Sequence, residues 1–261
     1  MSQLNQYKKI AIKAAKAAGI YLLKNFYRNH RDRATLKFKH EIATKADFGA
    51  EKIILNIIKK EFPDHQILSE EAGKNNKKLD FLWVVDPLDG TTNYSMQNPI
   101  FSISLGLFYK KEIVLGVVFA PMLRELYVAE KNKGVTLNGK KIRVSGTRDF
   151  HKSLLTFCHG HREKDIRRAI KACNFFKLKG FDTRQLGSAA LEMAFVTGGR
   201  TESIMIPGAH PWDVAAGTLL VREAGGKVTD FKGKDWNLKS RDMLASNGKI
   251  HKHLLKFLRN V

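Results

Sequence analysis

The sequence predicts a layered α/β or α+β fold, and three patterns carry that expectation. Apolar residues recur at helical spacing near the N-terminus. A series of short apolar segments with a hairpin signal fills the middle of the chain. The remainder alternates strand-like and helix-like stretches, as when helices cover sheets. With 261 residues, 43% of them apolar, the chain can bury a large core without disulfides. We expect one domain over residues 1–261, in halves of about 1–145 and 146–261.

Over residues 4–27, Tyr7, Ala11, Ala14, Ala15, Ala18, Tyr21 and Leu22 share one helical face, with lysines mostly opposite. A second helix should start after Thr44. Thr44 and Asp47 have capping-box spacing, with Asp standing for the usual Glu or Gln. On that local pattern alone, Asp47 is a helix cap. Ile54, Ile57, Ile58 and Phe62 extend the buried face, and Pro63 stops it. Strands are expected at 66–69 and 81–85, both followed by carboxylates, with Pro87 helping to end the second. Further strands at 102–108, 113–119 and 125–129, with Asn138-Gly139 as a hairpin turn, read as an antiparallel meander to about Val144. The second half reads as a strand near 154–157, a helix near 162–173 and a helix over 188–196. A strand at 201–206 and a helix from Pro211 to Gly225-Gly226 follow, then a strand at 227–231 and a helix near 250–259.

Charge is the unusual feature of composition: 46 Lys+Arg against 25 Asp+Glu, a net +21 with histidines neutral. The lysines fall in short runs such as Lys8-Lys9, Lys77-Lys78, Lys110-Lys111 and Lys140-Lys141, which read as a solvated basic surface. Such a field speeds capture of any anion, phosphate ester or polynucleotide. No RNA-recognition motif, zinc finger or aromatic-basic ladder accompanies it. The two cysteines, Cys158 and Cys173, have no metal-ligand spacing and read as free thiols in a reducing cytosol. No stretch of membrane-spanning length is apolar, and Met1–Lys24 lacks the block of a signal peptide. A cytoplasmic protein is expected.

The chemistry concentrates in acids at strand ends and helix starts, where α/β proteins bind ligands. Glu70 and Glu71 follow one strand, Asp86 ends another, Asp89 comes three residues later, and Asp213 lies early in a helix. In Asp86-Pro87-Leu88-Asp89-Gly90-Thr91-Thr92, Gly90 permits close backbone approach, and Thr91-Thr92 at a helix start would offer N–H groups to an anion. Two carboxylates about 4 Å apart repel by roughly 4 kcal/mol at an effective dielectric near 20, so converging acids need a counter-ion. All-oxygen ligands favour Mg²⁺, with Mn²⁺ as the alternative, over zinc. Taken singly, Asp213 also reads as a first-turn acid and Thr91 as a cap. Asp64 and Glu71 read as solvated, and His159, His161 and His210 as surface or packing residues.

In these residues and two longer signatures the sequence resembles the inositol monophosphatase family, within the lithium-sensitive, magnesium-dependent phosphatases. The signatures are Trp83-Val84-Val85-Asp86-Pro87-Leu88-Asp89-Gly90-Thr91-Thr92-Asn93 and Pro211-Trp212-Asp213-Val214-Ala215-Ala216-Gly217. Ser69-Glu70-Glu71-Ala72-Gly73, Gly187-Ser188-Ala189-Ala190 and Glu223-Ala224-Gly225-Gly226 support them, in the family's order along nearly the whole chain.

The resemblance implies an alternating αβαβα sandwich, of the inositol monophosphatase and fructose-1,6-bisphosphatase type, usually a homodimer. It implies two or three ions: Glu70, Asp86 and the Leu88 carbonyl for one, and Asp86, Asp89 and Asp213 for a second. The amides of Gly90 and Thr91 would receive the phosphate. Gly187, Ser188, Ala189 and Asp213 would line the alcohol side. Asp47 acquires a partner it lacked locally, Thr91, and this pair with Glu70 would orient an attacking water for in-line displacement without a phosphoenzyme. Thr92 stands where nucleotide-directed relatives carry lysine, which favours an inositol or sugar monophosphate. Ile206 stands where inositol-specific relatives place a glutamate, so an apolar wall and altered alcohol specificity are expected. Fructose-1,6-bisphosphate and histidinol phosphate are alternative substrates. A role beside the transcription antitermination machinery, through RNA contact, is the alternative of another class.

Overall fold

Alanine spacing lets the first helix lie close against its neighbours: Ala11, Ala14, Ala15 and Ala18 of α1 (Gln3–Phe26) have no exposed surface. The computed structural model describes residues 3–27, 35–38, 41–75, 77 and 80–258. After α1 come a small hairpin, β1 (Thr35–Phe38) and β2 (Glu41–Ala43), and the helix α2 (Lys45–Glu61). Next are β3 (Gln66–Ser69), β4 (Gly73–Lys74), β5 (Phe81–Asp89) and the short helix α3 (Thr91–Ser95). The meander β6 (Ser102–Tyr109), β7 (Glu112–Ala120), β8 (Glu125–Glu130), β9 (Gly134–Leu137) and β10 (Lys140–Lys141) follows.

The later part holds β11 (Leu154–Phe157), α4 (Glu163–Leu178), β12 (Asp182–Arg184), α5 (Ala189–Thr197) and β13 (Ser203–Pro207). It ends with α6 (Pro211–Glu223), β14 (Lys227–Thr229), β15 (Asp242–Ser246) and α7 (His251–Leu258). The larger sheet has eight strands in the order β10-β9-β8-β7-β6-β5-β3-β4, and the smaller has five in the order β12-β11-β13-β15-β14.

Three apolar clusters define the layering. One joins α1 and α2 to a face of the larger sheet through Leu22, Ile54, Ile58, Trp83, Val85 and Leu105. A second lies between the sheets, where α5 and α6 bury Leu191, Met193, Val214 and Leu220 against Val84, Val118 and Ile204. A third packs α4 and α7 on the far face of the smaller sheet through Phe176, Leu254, Leu155 and Met205. The result is the αβαβα sandwich. Burying both faces of each sheet supplies the main stabilising term.

Several elements differ from expectation. Pro87 does not end its strand: β5 continues to Asp89, and its pairing with β6 shifts register between Asp86↔Ser104 and Asp89↔Ser102. Two residues, Pro87 and Leu88, thus oppose one, Ile103, a bulge that tolerates a proline lacking an N–H. β3 enters the sheet parallel to β5, beside an otherwise antiparallel meander. Helix α4 runs to Leu178, beyond residue 173. The last helix ends at Leu258 among the described residues, and position 259 lies outside them. Strands β12 and β15 had no counterpart in the sequence reading; each is short, and β15 is held by pairing with both β13 and β14.

Candidate active site

The bulge in β5 builds the centre of the site. Side chains alternate faces along a strand, so residues 86 and 89 would ordinarily point opposite ways. One extra residue between them restores the same parity, since their partners Ser104 and Ser102 are two apart. Both carboxylates therefore face α5 and α6. Parallel pairing of β3 with β5 sets Ser69 beside Val85, and the Glu70 amide donates to the Val85 carbonyl at 3.2 Å, which brings Glu70 next to Asp86. Asp213 arrives from the first turn of α6, its Oδ2 accepting from the His210 amide at 2.9 Å.

These segments surround a cavity of about 290 Å³ lined by Glu70, Asp86, Leu88, Asp89, Gly90, Thr91, Gly187, Ala189 and Asp213. Asp86 is 2% exposed. Burial pushes its carboxyl well above the ordinary carboxylate range, and Glu70, Asp89 and Asp213 push it further; one bond, from the Leu88 amide at 3.0 Å, opposes them. Asp89 is also raised by burial, against bonds from Ser188 Oγ, the Ala190 amide at 2.9 Å, Ser102 Oγ at 3.1 Å and the Ala189 amide at 3.0 Å. Among the described residues, no three such side chains form a ready-made ligand cage. The acids share the walls of one cavity instead. Their chemistry fits a hard divalent cation, because each charge raises the cost of ionising Asp86 and a cation offsets that cost.

Gly90 joins these acids to α3. Its φ is +94°, and a Cβ there would lie 2.9 Å from the Ile100 carbonyl oxygen and 3.1 Å from that of Gly187. Only glycine fits that turn. Thr91 Oγ1 lies 2.7 Å from Asp47 Oδ1 and 3.0 Å from the Leu88 carbonyl oxygen. Its single proton can serve one of them at a time.

Two predicted site residues lie elsewhere than expected. Ser188 is wholly buried; its hydroxyl donates to Asp89 while Gly187 and Ala189 face the cavity. Ile206 is 1% exposed within the interior cluster and does not line the cavity, so the expected apolar wall is absent. Alternation along β13 turns Ile204 and Ile206 toward that cluster and Met205 toward the other face. His159, half-buried, and His161, exposed as expected of a surface residue, border the cavity together with Cys158 and Gln185. His210 stacks on Trp212 with ring centroids 4.8 Å apart. Sequence reasoning also missed Glu51, which lies one turn after Asp47 on the buried face of α2. Its Oε1 accepts from Ser69 Oγ at 2.5 Å, the Ala72 amide at 3.0 Å and the Glu71 amide at 3.2 Å, tying down the loop that carries Glu70.

The match to known proteins agrees with this geometry. The model of the inositol monophosphatase family matches residues 3–261. The chain belongs to the inositol monophosphatase family. Among relatives, it is 37% identical over 258 residues to the Nus factor SuhB of Pasteurella multocida, covering 97% of this chain and 95% of that one. The crystal structure of the extragenic suppressor protein suhB from Bartonella henselae superposes with a TM-score of 0.91 at 32% identity, covering 97% of this chain and 98% of that one. The inositol monophosphatase of Anabaena gives a TM-score of 0.87 at 36% identity, with 100% and 98% covered. The family thus includes proteins named for a phosphatase and proteins named for a Nus factor. Among the described residues, no helix is long and apolar enough to cross a membrane.

Proposed function

We propose that the chain is a Mg²⁺-dependent phosphatase that hydrolyses a small phosphate monoester of a polyol or sugar and releases inorganic phosphate. The observation that carries the reading is the shared cavity: Glu70, Asp86, Asp89 and Asp213, from three distant chain segments, face it beside Gly90 and Thr91. Glu70, Asp86, Asp89, Asp213 and the Leu88 carbonyl would hold the ions. When bound, Mg²⁺ supplies Lewis-acid stabilisation of the phosphoryl oxygens and lowers the pKa of water.

The chain's own residues do the rest. The Gly90 and Thr91 amides receive the phosphate, and Gly187 and Ala189 receive the alcohol. Thr91, held by Asp47, and Glu70 orient the attacking water, with Glu70 as its proton acceptor. Ile206 is buried away from the cavity and no residue of β13 is acidic, so that strand offers no carboxylate to ring hydroxyls. We therefore expect broad alcohol specificity, with comparable kcat/KM for myo-inositol 1-phosphate and glycerol 2-phosphate.

Phosphate release from a panel of monoesters, with and without Mg²⁺ and lithium, tests the reading beside an Asp89→Asn variant. Activity should require Mg²⁺ and largely vanish in the variant. Unchanged turnover in Asp89→Asn would falsify the ligand assignment, and strong preference for myo-inositol 1-phosphate would refute broad specificity.

A second reading is contact with nucleic acid, favoured by the +21 charge and by the name Nus factor carried by relatives. RNA affinity measured across salt concentrations decides it. Binding no stronger than that of a generic basic protein, with no dependence on RNA length, would count against it.

A further inference from the structure

Glu192 has no exposed surface, yet it sits in α5 among Leu191, Met193 and Ala194 of the interior cluster. Burying a carboxylate among apolar side chains is costly unless its hydrogen bonds compensate. Here the bonds go to one of its two oxygens, while Oε2 is buried with no hydrogen-bond partner among the described residues. Oε1 accepts from the Leu186 amide at 3.1 Å, the Gly187 amide at 3.0 Å and Cys158 Sγ at 3.0 Å.

Leu186 and Gly187 form the turn that leads into α5. Gly187 has φ +81°, and its neighbour Asn93 donates through Nδ2 to the Leu186 carbonyl at 2.7 Å and to the Ile100 carbonyl at 2.8 Å. The turn is thus gripped on its carbonyl side by Asn93 and on its amide side by Glu192. Five successive residues then divide their donors between two carboxylates: Leu186 and Gly187 serve Glu192, whereas Ser188, Ala189 and Ala190 serve Asp89. Cys158 and Gly187 both line the cavity and Glu192 does not, so one buried oxygen joins two of its walls from behind.

We infer that Glu192 is a positioning residue for the leaving-alcohol side of the site. It fixes the Leu186–Gly187 turn against the Cys158 wall and so sets which alcohol fits, without touching the ions, the phosphate or a reacting proton. Its kinetic consequence rests on the phosphatase reading; its geometric consequence does not.

Two variants test this. Glu192→Leu removes the acceptor at similar size, and Glu192→Gln keeps a carbonyl oxygen for both amides. Leaving two half-buried amides without their acceptor should raise KM for myo-inositol 1-phosphate and glycerol 2-phosphate about tenfold in Glu192→Leu, with kcat and the Mg²⁺ half-saturation within about twofold. Glu192→Gln should restore KM. Independently of activity, hydrogen exchange at Leu186 and Gly187 should accelerate about tenfold in Glu192→Leu and remain native-like in Glu192→Gln. If the native protein hydrolyses no ester, the phosphatase reading falls and exchange alone decides this inference. A loss of kcat or Mg²⁺ affinity at unchanged KM overturns it, as does unaltered exchange. Failure of Glu192→Leu to fold also overturns it, by assigning the residue to the core.

Discussion

Asp47 and Thr91, 44 residues apart, meet at 2.7 Å through Asp47 Oδ1 and Thr91 Oγ1. The other oxygen of the same carboxylate, Oδ2, accepts from the Thr44 amide at 2.7 Å and Thr44 Oγ1 at 2.6 Å, closing the cap of α2. One side chain therefore fastens a helix start to the cavity wall. Burial raises its carboxyl above the usual range, and the bonds from Thr44 and Thr91 oppose the rise.

The two functions of Asp47 separate by mutation. Thr91→Ala removes only the cavity-side bond, so kcat should fall about 10²-fold or more while stability changes by less than about 1 kcal/mol. Asp47→Ala removes both, and should lose activity and also about 1–3 kcal/mol of stability through the cap and the buried donors. Steady-state kinetics beside urea denaturation distinguish them. Equal stability loss in the two variants would contradict the division.

Gly90→Ala should be more harmful than its size suggests. The new methyl would meet two carbonyl oxygens, and φ +94° is strained for any residue with a Cβ. The expected cost is at least about 1–3 kcal/mol, with activity lost because the Gly90–Thr91 backbone must move. A variant with native melting temperature and native turnover would show that the turn is not constrained.

How much of this was legible in the sequence depends on how local each cause is. The α2 cap was readable because Thr44 and Asp47 are three residues apart; the bond to Thr91 entered only through the family resemblance. The acids of the cavity were readable as a set because in the sequence they follow apolar strand-like runs or open a helix. The β5 bulge was hidden, because Pro87 reads as a strand end and only pairing with Ser102 and Ser104 shows the strand continuing. Ile206 and Ser188 were misplaced because a side chain's direction depends on sheet and turn geometry. Glu192 carried one faint signal, a single acid inside the apolar run Ala189–Val196, which deserved weight since such a residue must find buried partners.

Mg²⁺ should stabilise the protein more at pH 8 than at pH 5. Asp86 and Asp89 have folded-state pKa values raised by burial, so the metal-free fold favours their protonated forms. Their stabilising contribution is complete below the unfolded carboxylate value of about 3.9 and is lost as pH rises. Cations reverse this by favouring the ionised forms, and binding releases protons. Melting curves at both pH values should show the larger Mg²⁺-induced shift at pH 8, and calorimetry in buffers of different ionisation enthalpy should register the protons. Equal shifts, with no proton release, would mean that the acids do not act together on a cation.

Glu192 supplies a second pH signature at a site distinct from the ion ligands. Burial lifts its carboxyl from 4.5 to about 7, against bonds from Cys158 and from the Gly187 and Leu186 amides. The unfolded chain ionises first, so stability should fall as pH rises from about 4.5 to about 7 and then level off, by a total of about 3 kcal/mol. Glu192→Gln cannot ionise and keeps the acceptor for the turn. Its stability relative to the native chain should therefore improve across that window and stay ahead above it, as read by denaturant titrations at pH 5, 6, 7 and 8. A constant difference between the two proteins over the whole range would mean that Glu192 keeps the same charge throughout.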